Sequence, residues 1–328
     1  SLALNLKTEE GRKVLRQLVA ECDVYVTNTP HPMRREWGLT YEELATINSR
    51  LIYASLTAYG ELGPERDREG FDLVAYWARS GLMDLVRAPG ADPAPAIPGM
   101  GDHPTAVSLY AAILTALFKR QQTGEGSHVH TSLLANGMWS ASCIAQGVFA
   151  EADFTLYHQL SSHLFTRLLY EAADGRWLQF SMVRTDEEVD MLFTAIGRPD
   201  LLLDPRFVTA DLRVEHGNVL VEEMKAALIT ETAAHWMQVL TDVGVPVALV
   251  GRVDELTSDP QVIANDMAIT PTPEVGMPSV INHPLNIEGL ATRSAGRAPD
   301  LGEHSEAILA ELGYTATDIA RAKEQGVI

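Results

Sequence analysis

Apolar positions follow two rhythms along the first part of the chain. Asp23-Val24-Tyr25-Val26-Thr27-Asn28 and Leu51-Ile52-Tyr53-Ala54-Ser55-Leu56 are short, nearly continuous apolar runs, as expected of strands buried on both faces. Around them the spacing becomes helical. Val14, Leu15, Leu18 and Val19 share one face, behind Thr8 as N-cap and Glu9 and Glu10 in the first turn. Thr40 and Glu43 form a capping-box pair for a helix over residues 40–48. Leu2-Ala3-Leu4-Asn5-Leu6 reads as a further strand, so the chain opens inside an element and a preceding segment is expected. Strands alternating with helices predict a parallel α/β sheet with right-handed crossovers.

The pattern continues with two loops and a series of helices. "YGELGPERDREGFD" is polar and Gly-rich, and it follows a strand at the end where ligands of open α/β sheets collect. "PGADPAPAIPGMGDHP" is a second loop, too long for a plain connector. Residues 105–121 predict a helix ending in Lys119 and Arg120, and His128-Val129-His130-Thr131-Ser132 alternates like a strand. A buried helix is expected from Asn136 to Phe149. From about residue 164 the character resets to a smaller α+β domain. It holds a hairpin turning at Asp174-Gly175, helices near 186–196 and 217–229, and a helix–turn–strand through Gly244-Val245-Pro246. Residues 270–300 read as a Pro/Gly-rich linker and 301–325 as a helical tail.

Composition narrows the classes. A chain of 328 residues favours two domains over one core. With 25 Lys and Arg against 44 Asp and Glu the net charge is −19, which argues against nucleic acid or an anionic membrane as main partner. Two separated cysteines, Cys22 and Cys143, suit a reducing compartment, the cytoplasm, and exclude a disulfide scaffold. No apolar run reaches the ~18–20 residues of a membrane span, and no signal-peptide pattern occurs.

No phosphate-binding glycine motif follows a strand, and Gly124-x-Gly126 precedes one, as a helix stop and turn. His128 and His130 share a strand face but lack a third ligand at metal spacing, so no metal is expected. Asp102 and His103 are a candidate acid–base pair, although such loop pairs also occur on plain surfaces. Arg34, Arg35, Arg66 and Arg68 cluster after strand ends, either to hold phosphates or to solvate the surface.

The motifs in sequence resemble those of the class III CoA-transferase family, which includes acyl-CoA racemases. They are "SLALNLKTEEGRKVL", "CDVYVTNTPHPMRREWGLTYEELATINSRLIYASLTAYGELGP", "GFDLVAYWARSGLM", "GDHPTAVSLYAAILTALFKRQQTGEGSHVHTSLL", "DGRWLQF", "GRPDLLLDPRF", "GVPVALV", "DPQV" and "LGEHSEAILAELGY". The resemblance implies an α/β fold with a Rossmann-like large domain over 1–163, an inserted small domain over 164–269, a linker over 270–300 and a return over 301–328. It implies an interlocked homodimer acting on an acyl-CoA and a carboxylic acid, with the active site between the large domain and the partner's small domain. CoA would be held by Arg34, Arg35, Arg66, Arg68 and the motif residues Phe71 and Asp72. The family usually carries a strand and helix before the first motif, which again points to a preceding segment.

In the transferases an aspartate takes the acyl group as a mixed anhydride and then carries CoA as a thioester. That aspartate falls on Ala135, which cannot be acylated. Asp84 occupies the racemases' histidine position and Arg184 its carboxylate partner's. Asp84 and Asp102 are the replacement carboxylates, with His103 as a proton-transfer group. A non-covalent racemase or isomerase and a silent acyl-CoA-binding protein remain alternatives. The wording "AYWARSG" and "SLLANGMW" resembles a branch acting on 2-hydroxyacyl or aryl acids.

Overall fold

In the computed structural model, residues 1–88, 90–152, 164–290 and 294–328 are described. Backbone contacts divide the chain into two units, Ser1–Ala152 with Ala298–Ile328, and Asp153–Arg297. The fold is mixed α/β with a parallel sheet.

In the first unit α1 (Glu9–Glu21), β1 (Val24–Thr27), α2 (His31–Glu36), α3 (Tyr41–Ile47) and β2 (Ile52–Thr57) follow one another. The caps form as the sequence predicts. Thr8 Oγ1 accepts from Gly11 N at 3.1 Å, and the Glu43 carboxylate accepts from Thr40 N at 3.1 Å while Thr40 Oγ1 accepts from Glu43 N at 3.4 Å. β3 (Ser127–Ser132) completes a three-stranded parallel sheet in the order β1-β2-β3. Central β2 is buried from Ile52 to Ser55, and Tyr53 packs with Val19, Leu39, Leu44 and Leu51.

Between β2 and β3 the chain makes a π-helical turn (Leu73–Ala78), then α4 (Leu82–Leu85) and α5 (Asp102–Thr123). The π turn is clamped from two sides. A Cβ on Gly137 would collide with the Tyr76 carbonyl oxygen, and one on Gly101 with the Tyr76 ring. The Tyr76 hydroxyl lies 2.6 Å from Ser140 Oγ. π turns break the regular hydrogen-bond ladder and persist where packing holds them.

Three local expectations change. Residues 1–5 form no strand. Leu2 and Leu4 instead pack with Val14, Leu309, Ile319 and Ile328, and Asn5 N donates to Val327 O at 2.8 Å. α5 starts three residues earlier than predicted, so Asp102 and His103 lie in a helical first turn and not in a loop. The single buried helix expected to Phe149 is two, α6 (Leu133–Ser140) and α7 (Ser142–Phe149), parted at Ala141. No residue of α7 is buried, and Trp139 is 78 % exposed.

The second unit carries an antiparallel sheet of β4 (Leu169–Glu171), β5 (Trp177–Gln179) and β6 (Ala248–Leu249). Gly175 takes φ +70° in the hairpin turn, which a glycine adopts without strain. Tyr170, Leu178 and Phe180 pack against Phe193, Leu220 and Trp236 of its helices. β7 (Ala268–Ile269), at the end of the expected small domain, pairs antiparallel with β8 (Val280–Ile281) inside the expected linker.

Candidate active site

A cleft of about 590 Å³ opens beyond the carboxyl ends of β1 and β2, where parallel sheets commonly present ligands. The segment after β1 contributes His31, the loop after β2 contributes Arg66, Arg68 and Phe71, and the helix starts contribute Asp102 and Leu133. The lining is mixed: two guanidinium groups and carboxylates together with Leu56, Ala58, Phe71 and Leu133. Such a lining suits a ligand with an anionic portion and an apolar portion.

A buried polar chain supports the cleft. Arg34 is 3 % exposed, and both its Nη atoms donate to Glu61 Oε1 at 3.0 Å. Glu61 Oε1 also accepts from Ser55 Oγ at 2.6 Å, and Ser55 Oγ lies 2.9 Å from His128 Nε2. Burial alone would raise the Glu61 carboxyl. The Ser55 hydroxyl and the Arg34 guanidinium outweigh it and hold the group below its ordinary value. Burial lowers His128, with Glu61 opposing, and its ring stacks on Tyr41 at 5.4 Å. His128 is therefore a satisfied interior histidine with exposed His130 beside it. Among the described residues no group of three or more His, Cys, Asp or Glu is placed to hold a metal ion.

Nearer the opening, Arg35 forks onto Asp67 at 3.0 and 3.2 Å. Arg66 Nη2 approaches His31 at 2.9 and 3.0 Å. Arg68 bonds Glu65 at 2.5 Å and lies over the Tyr59 ring, its guanidinium carbon 5.3 Å from the centroid.

The predicted site residues separate into groups. Arg66, Arg68, Phe71 and Asp102 line the cleft together. Arg35 stands on its flank. Arg34 is buried and outside the lining, with its guanidinium bonded to Glu61. Asp72 is also buried, and its Oδ2 accepts from Gly99 N at 2.6 Å and Gly101 N at 3.2 Å. Its carboxylate ties down the loop that enters α5, which occupies it structurally. Asp84 is exposed on α4 in an ion pair with Arg87 at 2.7 Å, outside the cleft lining, and His103 is exposed and outside it as well. Arg184, in the second unit, is exposed, and its backbone N donates to Glu188 at 2.7 Å.

Ala135 is the third residue of α6, exposed, with its N–H donating to the Ser132 cap at 3.1 Å. Its methyl group offers no nucleophile. Asn136 turns inward: Nδ2 donates to Thr131 Oγ1 and Ser132 O at 2.8 Å each, and Oδ1 accepts from Ser108 at 2.6 Å. This amide ties α6 to β3 and to α5. His31, Ser55 and Glu61 escaped the sequence reading. The position of His31 just after a strand end and beside an arginine pair was the available signal. Ser55 and Glu61 bond each other across six residues with no regular spacing, and their other partners, His128 and Arg34, lie far along the chain, so no local pattern announces them.

Residues 1–305 match CoA-transferase family III. The chain belongs to this family. It is 30 % identical to (R)-2-hydroxy-4-methylpentanoate CoA-transferase from Clostridioides difficile, over 100 % of this chain and 82 % of that protein. It is 29 % identical to cinnamoyl-CoA:phenyllactate CoA-transferase from Clostridium sporogenes, over 97 % and 78 %. The solved structure of a CaiB/BaiF family protein from Brucella suis superimposes with TM-score 0.81 at 28 % identity, covering 95 % of this chain and 81 % of that one. Family membership identifies the chain as a CoA-transferase. No helix among the described residues is long and apolar enough to cross a membrane.

Proposed function

We propose that the cleft exchanges CoA between an acyl-CoA and a 2-hydroxy acid, with Asp102 as the carboxylate that carries the acyl group. The observation that carries this reading is the position of Asp102. It lines the cleft with Arg66 and Arg68 on the first turn of α5, a helix tied by Ser108–Asn136 to the one whose first turn holds Ala135. The relatives that act on 2-hydroxy-4-methylpentanoate and phenyllactate support the acid class. The apolar wall of Leu56, Phe71 and Leu133 suits their branched or aryl side chains.

In this reading the Asp102 carboxylate attacks the thioester carbonyl, forming a mixed anhydride and releasing CoA thiolate. The thiolate then attacks the aspartyl carbonyl, giving an aspartyl thioester and freeing the first acid. The incoming carboxylate attacks that thioester, and the thiolate released attacks the new acyl carbonyl, forming the product thioester and restoring Asp102. Arg66 and Arg68 supply cations for the coenzyme's phosphates. A proton-transfer role for Asp84 or His103 is disfavoured, since neither lines the cleft.

The same reading includes a homodimer. Val107, Tyr110, Leu114 and Phe118 form an exposed apolar stripe at helical spacing along α5, and Trp139 and Phe149 are exposed nearby in sequence. The test of function is chromatographic: the chain is incubated with an acyl-CoA donor and (R)-2-hydroxy-4-methylpentanoate, phenyllactate or succinate. Transfer to the 2-hydroxy acids in preference to succinate is expected. Equal rates with succinate would overturn the acid class, and no transfer to any of them would overturn the exchange reaction.

A further inference from the structure

His31 opens α2 at the cleft wall with its side chain 14 % exposed. Donors face both ring nitrogens. Arg66 Nη2 lies 3.0 Å from Nδ1 and 2.9 Å from Nε2, and Arg35 Nη1 contacts Nδ1. A guanidinium donates and never accepts, and a neutral imidazole offers one lone pair while a protonated one offers none. Either neutral tautomer leaves one ring nitrogen with N–H facing N–H, whereas a protonated ring leaves both so and adds a positive charge to Arg34, Arg35 and Arg66. The carboxylates in range are Glu61, 3.6 Å from Nε2, and Asp67, 3.6 Å from Nδ1. Each is already engaged, Glu61 by Arg34 and Asp67 by Arg35. Donor matching assigns the lone pair to Nδ1 and the N–H to Nε2, toward Glu61.

Arg66 depends on this arrangement. Its buried Nε makes no hydrogen bond and has only Asp67 at 3.6 Å, so among the described residues His31 alone hydrogen-bonds the guanidinium. Arg66 is also one of the two arginines that line the cleft, and Arg68, Glu69 and Asp102 are the other charged groups of that lining besides Asp67.

We propose that neutral His31 is a positioning residue that aims Arg66 at the anionic part of the coenzyme, and that protonating His31 releases Arg66 and weakens coenzyme binding. This rests on the reading of the cleft as an acyl-CoA site. Burial first, then Arg66 and Arg34, hold His31 below the 6.5 of an ordinary histidine, with Glu61 opposing. The aimed form accordingly prevails at neutral pH, and it is lost on the acid side.

Binding of 3′-dephospho-CoA, whose diphosphate does not titrate in this range, is measured calorimetrically at about pH 8 and about pH 5.5. For the unaltered chain, affinity is expected to fall severalfold on acidification, with about tenfold the ceiling at pH 5.5 for a histidine held below 6.5. His31→Gln keeps an acceptor but cannot take the proton. It should bind within about threefold of the unaltered chain at the higher pH and keep that affinity at the lower. His31→Phe should be weak at both, at the level of Arg66→Met. In turnover the effect should fall on KM for acyl-CoA and leave kcat little moved. An unaltered chain that binds equally at both pH values, or a His31→Gln chain with the same acid loss, overturns the positioning role. No binding at either pH overturns the coenzyme-site reading and the positioning role together.

Discussion

Replacing Glu61 by Gln removes the counter-charge of a guanidinium that has no route to water. Arg34 and Glu61 have side chains 3 % and 9 % exposed, joined through two 3.0 Å bonds to one oxygen. Removing one partner of a buried pair typically costs about 3–5 kcal/mol, because the other charge stays buried. Glutamine keeps an oxygen for Ser55 and Arg34, so the low end, about 3 kcal/mol, is expected. At roughly 2–4 °C per kcal/mol for a unit of this size, the melting transition should fall by about 6–12 °C. The pH course supplies a second readout. The folded Glu61 carboxyl lies below the 4.5 of an ordinary glutamate, so its contribution is complete above 4.5 and fades as pH falls through the folded value. The unaltered chain should lose this stability in acid, and Glu61→Gln should show a flatter acid limb. The double change Arg34→Met with Glu61→Gln should recover part of the loss, since no buried charge is then unpaired. Calorimetry from about pH 8 down to about pH 2.5 measures all three. A melting point for Glu61→Gln within about 2 °C of the unaltered chain would refute the claim that this pair is a desolvated strut.

Gly137→Ala should lower stability by about 1–3 kcal/mol in denaturant titration, because the added methyl meets the Tyr76 carbonyl and one of the two elements must shift. Arg68→Ala should weaken CoA binding severalfold and reduce its salt dependence, read by titration at two ionic strengths; an unchanged salt slope would remove Arg68 from the phosphate contacts. Light scattering at micromolar concentration should report a dimer, and Leu114→Glu with Phe118→Glu should shift it toward monomer through the exposed stripe of α5.

The legible parts of the fold were those whose cause is local. Thr8 and Thr40 cap helices through partners three residues away, and the strands at 24–27 and 52–57 are apolar because the sheet buries them. The failures share a long-range cause. Leu2 and Leu4 look like strand residues but are covered by Leu309, Ile319 and Ile328, some three hundred positions later. The arginines were equivalent as sequence, yet Arg34 is buried by Glu61 and Arg66 is held open by His31. Asp72 sits in the same motif as Phe71, but only Phe71 faces the cleft, because Gly99 and Gly101 recruit the aspartate inward. The sequence marks Asp102 as a candidate, and the start of α5 at this residue puts it on a helical first turn.

The most direct test is to map the covalent intermediate. The chain is mixed with acyl-CoA and quenched, its intact mass is measured with and without hydroxylamine, and the modified peptide is sequenced. The account predicts an acyl or CoA adduct on Asp102 that hydroxylamine converts to a hydroxamate, and loss of both adduct and exchange in Asp102→Asn. Sustained exchange by Asp102→Asn, or an adduct mapped to any other carboxylate, would contradict it.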